Sequence, residues 1–166
     1  ISIGGSMKRP EKSPRRWFPL ASVAVVLGIG SWAYLTSGPT PLAAEQAIVV
    51  YKSPTCGCCE DWVAHLRREG FDVETHDQVD MSGIKTKFGV PGSLTSCHTA
   101  TVGDYVVEGH VPAEVIARML LDRPPITGLA VPGMPGGSPG MESAPTVAYN
   151  VIAFDAAGTQ SLYESR

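Results

Sequence analysis

The segment from residue 48 to residue 76 constrains the fold of this chain more than any other. It opens with Ile48-Val-Val-Tyr51, a β-branched run that is typical of a buried strand. Residues 60–69 predict a helix that ends at Gly70, and residues 71–76 alternate as a second strand. Two strands joined through a helix of about ten residues form a βαβ unit, which is expected to be parallel and right-handed.

The turn between that strand and that helix carries three thiols within four residues. They are Cys56, Cys58 and Cys59. Unpaired backbone N–H groups at a helix N-terminus carry partial positive charge, which favours thiolate over thiol. Because a thiolate attacks disulfides and binds soft metals, this turn is the predicted chemical centre of the chain.

Three interpretations of these cysteines stay open at this point. Cys56 and Cys59 form a C-x-x-C, which beside a βαβ pattern resembles a thioredoxin-type redox motif. Cys58 would compete in such a dithiol enzyme, and it fits a multi-thiolate site for Cu(I), zinc or an iron–sulfur cluster better. The third interpretation is a structural disulfide with one spare cysteine, a device that small exported domains use.

The N-terminal part of the chain has the layout of an export signal. Met7 is the expected start, with residues 1–6 as upstream residues. Five basic residues against one acid precede an uncharged run of 16 residues, 20–35, and Ala43-Ala44 offers a cleavage site. A membrane-spanning helix needs about 20 residues, so a retained membrane anchor is the alternative. We therefore predict a signal peptide or membrane anchor with linker over 1–44, and an exported, periplasmic domain over 45–166.

The predicted domain is acidic. Beyond residue 44 the chain keeps 8 of its 13 basic and 15 of its 16 acidic residues, a formal charge of −7. An acidic domain without a basic stripe argues against nucleic acid as a partner, and membrane contact is expected only through the N-terminal segment.

The remaining elements complete an α/β pattern. Pro112 precedes the third helix, in which Met119 is expected to be a core residue, and glycine and proline make 124–146 a long loop. The further predictions are a short helix over 79–88, strands over 99–102 and 105–108, a helix over 113–121 and a last strand over 149–154. The order β-α-β-α-β-β-α predicts a thioredoxin-like fold, with a central mixed sheet of four to five strands flanked by helices.

That topology brings distant residues back to the cysteine turn. The third strand runs antiparallel to the first, so it begins beside the turn, and the fourth strand ends there. Cys97-His98 and His110 are therefore expected to approach Cys56, Cys58 and Cys59. The thiol of Cys97 and one or both imidazoles would then lie beside the three thiols of the cysteine turn.

Four segments of the chain resemble one bacterial family of metal-binding domains of unknown function, whose better-known members are the periplasmic CopG-type copper-resistance proteins. The segments are Tyr51-Lys-Ser-Pro-Thr-Cys-Gly-Cys-Cys59, Ser96-Cys-His-Thr99, Glu108-Gly-His-Val-Pro112 and Val131-Pro-Gly-Met-Pro135 with Gly137-Ser-Pro-Gly-Met141. The resemblance covers about residues 46–165. It implies a thioredoxin-like fold and periplasmic copper handling. In this family the cysteines would bind copper, and the bound copper could change between Cu(I) and Cu(II).

The resemblance also implies a set of metal-site residues. They are Cys56, Cys58, Cys59, Cys97, His110, His98, Met134 and Met141. His98 would point out of the site if Cys97 points in, because neighbours on a strand face opposite ways, and it would then support a ligand instead. Met134 and Met141 resemble the thioether positions of the family loop, where they would cap or deliver Cu(I); alternatively they fill a gap over the core. His65, predicted to face solvent, His76, on an edge strand, and Met81 are left out.

Two functions from different classes follow. The first is an exported protein of copper resistance that holds one or more Cu(I) ions and exchanges them with another periplasmic copper carrier or efflux component. The second is a thiol–disulfide oxidoreductase acting on protein substrates, with Cys56 and Cys59 as catalytic residues. A zinc or iron–sulfur domain is a third, weaker alternative. Whether the chain is an enzyme at all stays open. If it binds copper, a Cys56–Cys59 disulfide is expected to release the metal.

Overall fold

The computed structural model describes Ile1 and residues 47–166. Apart from Ile1, the predicted signal or anchor over 1–44 lies outside the described residues, and the domain boundary near residue 45 stays a prediction. In the described part of the chain, no helix is long and apolar enough to cross a membrane.

The described residues form a mixed α/β structure with a seven-stranded sheet and three helices. The sheet has more strands than the four to five that the sequence predicts. In chain order the elements are β1 (Ile48–Lys52), α1 (Gly57–Arg68), β2 (Val73–Asp77), α2 (Met81–Lys87), a 3₁₀ turn (Gly92–Leu94), β3 (His98–Val102), β4 (Tyr105–Glu108), α3 (Ala113–Asp122), β5 (Gly128–Ala130), β6 (Asn150–Phe154) and β7 (Gln160–Ser165).

The strand order across the sheet is β2-β1-β3-β4-β5-β6-β7. β1 and β2 run parallel, as a βαβ unit requires, and β3 runs antiparallel to both β1 and β4. β5 lies parallel to β4, while β6 and β7 continue the sheet in antiparallel steps. The predicted βαβ unit and the hairpin of β3 and β4 are therefore present.

Both extra strands lie towards the C-terminus. β5 forms inside the stretch predicted as one long loop, where Leu129 and Ala130 are buried between β4 and β6. Three residues are too few for a periodic pattern, so only the pairing with two neighbours makes this a strand. β7 follows the turn at Gly158 and has mostly exposed residues, which hides its pairing with β6 from the sequence.

The first helix begins earlier than predicted. It starts at Gly57 instead of residue 60, so Cys58 and Cys59 lie within its first turn and Cys56 is the residue that precedes it. Glycine has a low helix propensity, which obscured this start. The second helix is shorter than 79–88, because the Asp80 carboxylate accepts a hydrogen bond from Gly83 N at 3.0 Å and fixes its beginning.

The core lies on the sheet face that α1 and α3 cover. Trp62 of α1 and Met119 of α3 are fully buried there, as the helical spacing predicts for Met119. The Trp62 indole N–H donates to the Val111 carbonyl at 2.9 Å. This bond fixes α1 against the chain that leaves β4, and the cysteine turn thereby acquires a defined position.

Candidate metal centre

Three strand ends meet at the N-terminus of α1. Lys52, the last residue of β1, pairs with His98, the first residue of β3, and Thr99 pairs with Glu108 at the end of β4. Cys97 therefore lies directly before β3, and His110 lies two residues after β4. The register places both residues at the edge of the sheet where the cysteine turn begins.

The four cysteines form one cluster of sulfur atoms. Their Sγ atoms all lie within 4.8 Å of one another. Cys56 and Cys59 are joined by a disulfide, while Cys58 and Cys97 are free thiols. Cys58 Sγ lies 3.6 Å from Cys56 Sγ and 4.0 Å from Cys97 Sγ. The structure thus brings together the four cysteines that the sequence pointed to.

Burial determines the protonation of Cys97. Loss of solvent, with a smaller contribution from the neighbouring Cys58, raises the pKa of the Cys97 thiol to about 12. The sequence predicts thiolates for the cysteines at the N-terminus of α1. Cys97 differs from them, because it precedes a strand instead of a helix, whose N-terminus would lower the pKa of its thiol. Its sulfur carries a proton until a cation takes the place of that proton.

His110 presents one defined nitrogen to the thiols. Its Nδ1 lies 2.7 Å from the Pro139 carbonyl oxygen, and its Nε2 lies 2.9 Å from Cys97 Sγ. Because a carbonyl only accepts hydrogen bonds, Nδ1 carries the proton and the Nε2 lone pair faces Cys97. Burial lowers the pKa of His110, which keeps the ring neutral. A neutral imidazole held by a backbone carbonyl is the common arrangement of a metal-binding histidine.

His98 belongs to the same cluster. Its Nδ1 lies 3.3 Å from Cys97 Sγ, although strand alternation predicts that neighbouring side chains diverge. That alternation does not apply here, because Cys97 precedes the strand and only His98 lies in it. The ring packs on Trp62 with centroids 4.2 Å apart, and burial lowers its pKa well below the usual value.

The second nitrogen of His98 has no partner. Its Nε2 is buried and makes no hydrogen bond within the described part of the chain. A buried polar atom without a partner destabilises a fold, so such atoms are rare and tend to have a functional reason. Cys97, His98 and His110 form a second group whose ligand atoms lie within 4.8 Å of one another.

The two methionines of the Gly/Pro-rich loop differ in position. Met134 lies with its Sδ 3.9 Å from Cys58 Sγ and is 53% exposed. Met141 is half-buried in a turn, where its backbone N donates to the Ser138 carbonyl at 2.8 Å. Within the described residues its thioether does not join the thiol cluster. The structure therefore brings one of the two predicted thioethers to the site.

The residues left out of the predicted site lie elsewhere, one of them unexpectedly. His65 was predicted to face solvent, but it is half-buried and its Nε2 accepts a hydrogen bond from Ala113 N at 3.2 Å. The reason is that the last turn of α1 packs against the beginning of α3. His76 lies on the edge strand β2 beside Glu74, and Met81 begins α2.

Sequence reasoning missed two groups that shape the site. Glu108 is fully buried and its carboxylate contacts the backbone directly before Cys97. The Pro139 carbonyl orients His110. A glutamate at the end of the apolar strand Tyr105-Val-Val is unusual, so the sequence could have indicated a role for Glu108. The sequence gives no indication that the Pro139 carbonyl would orient His110.

The donor set is chemically soft. It consists of four cysteine sulfurs, one thioether and at least one imidazole nitrogen, and such sulfur ligands select Cu(I). Two of the sulfurs are held in the Cys56–Cys59 disulfide, which leaves Cys58, Cys97, His110 and Met134 as free donors. Reduction of the disulfide would supply two further thiols at the same place.

Comparison with known proteins gives one family and two similar structures. Residues 94–141 match a protein family of unknown function, DUF411, and this segment contains Cys97, His98, His110 and both loop methionines. A solved structure of a copper resistance protein CopG, form 2, is 44% identical, covers 73% of this chain and 98% of that chain, and has a TM-score of 0.69. Its form 1 is 45% identical, covers 72% and 96%, and has a TM-score of 0.68. No curated protein matches the chain.

Proposed function

Because this chain belongs to the family of the CopG-type copper-resistance proteins, we propose that it is an exported protein that binds Cu(I) for copper resistance. The observation that carries this proposal is the convergence of four cysteine sulfurs with the unprotonated nitrogen of His110. These donors come from separate parts of the chain, and hydrophobic packing alone gives no reason to gather them at one place. Soft donors in this number favour Cu(I) over harder cations.

In the proposed site, Cys58, Cys97 and His110 hold copper together with Met134. Cys56 and Cys59 join when their disulfide is reduced, and two further sulfurs would allow more than one Cu(I) ion to bind. His98 lies against Cys97 and supplies either a further nitrogen ligand or support for that thiol. Among the described residues, Met141 makes no contact with Cys58 like that of Met134, so its proposed part is delivery of Cu(I).

We place this function in the periplasm, where the N-terminal segment would deliver or tether the domain. The exposed thioether of Met134 beside Cys58 supports exchange of copper with another periplasmic copper carrier or efflux component. Imidazole is a ligand that Cu(II) also accepts, so a change between Cu(I) and Cu(II) at the site is chemically consistent with the donors.

One observation favours a second function, that of a thiol–disulfide oxidoreductase with a thioredoxin-like fold. The Cys56–Cys59 disulfide lies at the N-terminus of α1, where a backbone dipole stabilises an attacking thiolate. In this alternative Cys56 and Cys59 are catalytic, while Cys97 and His110 are dispensable. The two functions therefore differ in how they depend on Cys97.

The test is an anaerobic titration of the fully reduced protein with Cu(I) against a competing chelator. We expect tight binding, and at least a tenfold loss of affinity in Cys97→Ser, since loss of even a partner that only orients a metal ligand typically costs about 10–100-fold. His76→Ala, a histidine outside the cluster, is the matched control and should bind like the wild type. Absence of competitive binding, with disulfide reductase activity that survives Cys97→Ser, would establish the second function instead.

A further inference from the structure

Glu108 is a buried carboxylate that the proposed copper site does not use. It is the last residue of β4, and its side chain has no exposed surface. Its Oε1 accepts from Ser96 N at 2.6 Å and from Lys85 Nζ at 2.5 Å, and its Oε2 accepts from Thr99 Oγ1 at 2.7 Å. Lys85 comes from α2, so one carboxylate joins α2, β4 and the chain on both sides of Cys97.

Stability alone is a weak reason for this arrangement. Two charges removed from water are costly, and a buried ion pair can often be replaced by apolar residues without loss of stability. Hydrogen bonds from an N–H group to a carboxylate are, however, short and directional, so they fix the donor's position closely. Here the donor is the amide of Ser96, which directly precedes the Cys97 thiol.

Ser96 connects this carboxylate to the methionine loop as well. The Ser96 hydroxyl donates to the Gly133 carbonyl, which directly precedes Met134. Gly133 N in turn donates to the Thr95 carbonyl at 3.3 Å. The backbone beside Cys97 and the backbone beside Met134 are thus held by one residue, whose own amide is fixed by Glu108.

We propose that Glu108 is the positioning residue of this centre, which holds the Cys97 thiol and, through Ser96, the Met134 loop in the arrangement that receives the metal. That this arrangement serves metal binding rests on the proposed function. The effect of Glu108 on the position of Cys97 and Ser96 can be measured without metal. Lys85 Nζ lies 2.5 Å from this carboxylate and supplies the opposite charge beside it.

The test uses the protein without copper and with the Cys56–Cys59 disulfide intact. In a Cys58→Ser background, Cys97 is then the one free thiol of the four cysteines in the chain. We expect Glu108→Ala to accelerate alkylation of Cys97 by iodoacetamide and hydrogen exchange at Ser96 N by about tenfold or more, because a charge-assisted hydrogen bond is lost. Glu108→Gln, which keeps an acceptor oxygen for Ser96, should restore much of the protection.

Val151→Ala serves as the control, because it trims a buried residue of β6 that makes none of these contacts. If the alkylation rate of Cys97 and the hydrogen-exchange rate of Ser96 N are the same in Glu108→Ala as in Val151→Ala, Glu108 serves only the fold and the proposal is overturned. If Glu108→Ala does not fold, Glu108→Asp shortens the same carboxylate and gives the same comparison.

Copper binding by Glu108→Ala with Cys58 restored and the Cys56–Cys59 disulfide reduced separates this proposal from the proposed function. We expect Glu108→Ala to lower Cu(I) affinity by about 10–100-fold in competition with a chelator, the loss typical of groups that orient metal ligands. A second outcome is that the wild type binds no Cu(I) while Glu108→Ala still accelerates alkylation of Cys97 and hydrogen exchange at Ser96 N. In that case the proposed function fails and the positioning role of Glu108 stands.

Discussion

The ring of His110 is held by a single backbone carbonyl, and that contact decides which nitrogen faces the thiols. Replacement of His110 by alanine removes the Nε2 lone pair beside Cys97 but leaves the four sulfurs in place. We expect Cu(I) affinity of the reduced protein to fall by about tenfold or more. The free energy of unfolding of the metal-free protein should fall by about 1–3 kcal/mol, because the Pro139 carbonyl loses its buried donor. A chelator competition checks this, and affinity equal to that of the wild type would remove His110 from the site.

His65 is a second residue whose neighbour determines its chemistry. Its Nε2 accepts a hydrogen bond from the first amide of α3, and burial lowers the pKa of its ring below the usual value for histidine. Glu69, Glu114 and Glu142 oppose this shift and Arg68 adds to it, but loss of solvent is the largest cause. Protonation would destroy the acceptor, so the unfolded chain binds the proton more readily than the folded one.

The lowered pKa of His65 in the folded protein predicts how stability depends on pH. Because the folded pKa of His65 is depressed, its stabilisation is complete above about pH 6.5 and is lost as the pH falls towards the folded pKa. We expect the free energy of unfolding in urea to fall between about pH 7.5 and about pH 5, and to fall less steeply in His65→Gln. His98 and His110 contribute the same slope to both proteins, so the difference isolates His65. Parallel curves would contradict this account.

At the level of elements, Gly140 connects the Gly/Pro-rich loop to α1. It has φ +84°, and a Cβ at this position would lie 2.7 Å from the Cys58 carbonyl oxygen and 2.8 Å from Trp62 N. Gly158, in the turn between β6 and β7, has φ +81° and nothing within 4 Å of such a Cβ. The two glycines therefore share the same backbone strain and differ only in the space around them.

Alanine at each position separates these two effects. We expect Gly140→Ala to cost about 1–3 kcal/mol more in the free energy of unfolding than Gly158→Ala, because backbone atoms of α1 cannot move aside. Gly140→Ala should also weaken Cu(I) binding, since its neighbour Pro139 orients His110. Denaturation of both variants, with a chelator competition, measures the difference; equal losses of stability would show that the loop does not pack tightly on α1.

Elements with a clear local pattern were predictable from the sequence, and those formed by pairing were not. The β-branched run of β1 and the hairpin of β3 and β4 carry their own signals, and from these the approach of Cys97 and His110 to the cysteine turn follows. Leu129 and Ala130 of β5 form a strand only because β4 and β6 flank them. The position of His98 was uncertain because strand alternation begins one residue after Cys97.

At the level of the whole molecule, the disulfide closes only a short loop. Cys56 and Cys59 are three residues apart, so the cross-link removes little entropy from the unfolded chain, worth about 2 kcal/mol. We expect the reduced, metal-free protein to stay folded, with its free energy of unfolding lower by about this amount. Urea denaturation with and without a reductant measures the change, and loss of the fold on reduction would contradict it.

The same disulfide changes what we expect of copper binding. A Cys56–Cys59 bond was expected to release the metal, yet it leaves Cys58, Cys97 and His110 as free donors. We therefore expect the oxidised protein to bind Cu(I) more weakly than the reduced protein, but still measurably. Competition titrations of both forms under anaerobic conditions test this. Equal affinity of the two forms would show that Cys56 and Cys59 are not ligands.

The packing of Trp62 on His98 gives the molecule its own optical probe. Beyond residue 44 the chain has a single tryptophan, and its indole lies 4.2 Å from a ring of the candidate metal centre. Indole emission responds to changes in its immediate surroundings, so arrival of an ion beside His98 would alter the fluorescence of the domain. Loading and release can then be followed in real time, without a dye and without altering any of the thiols.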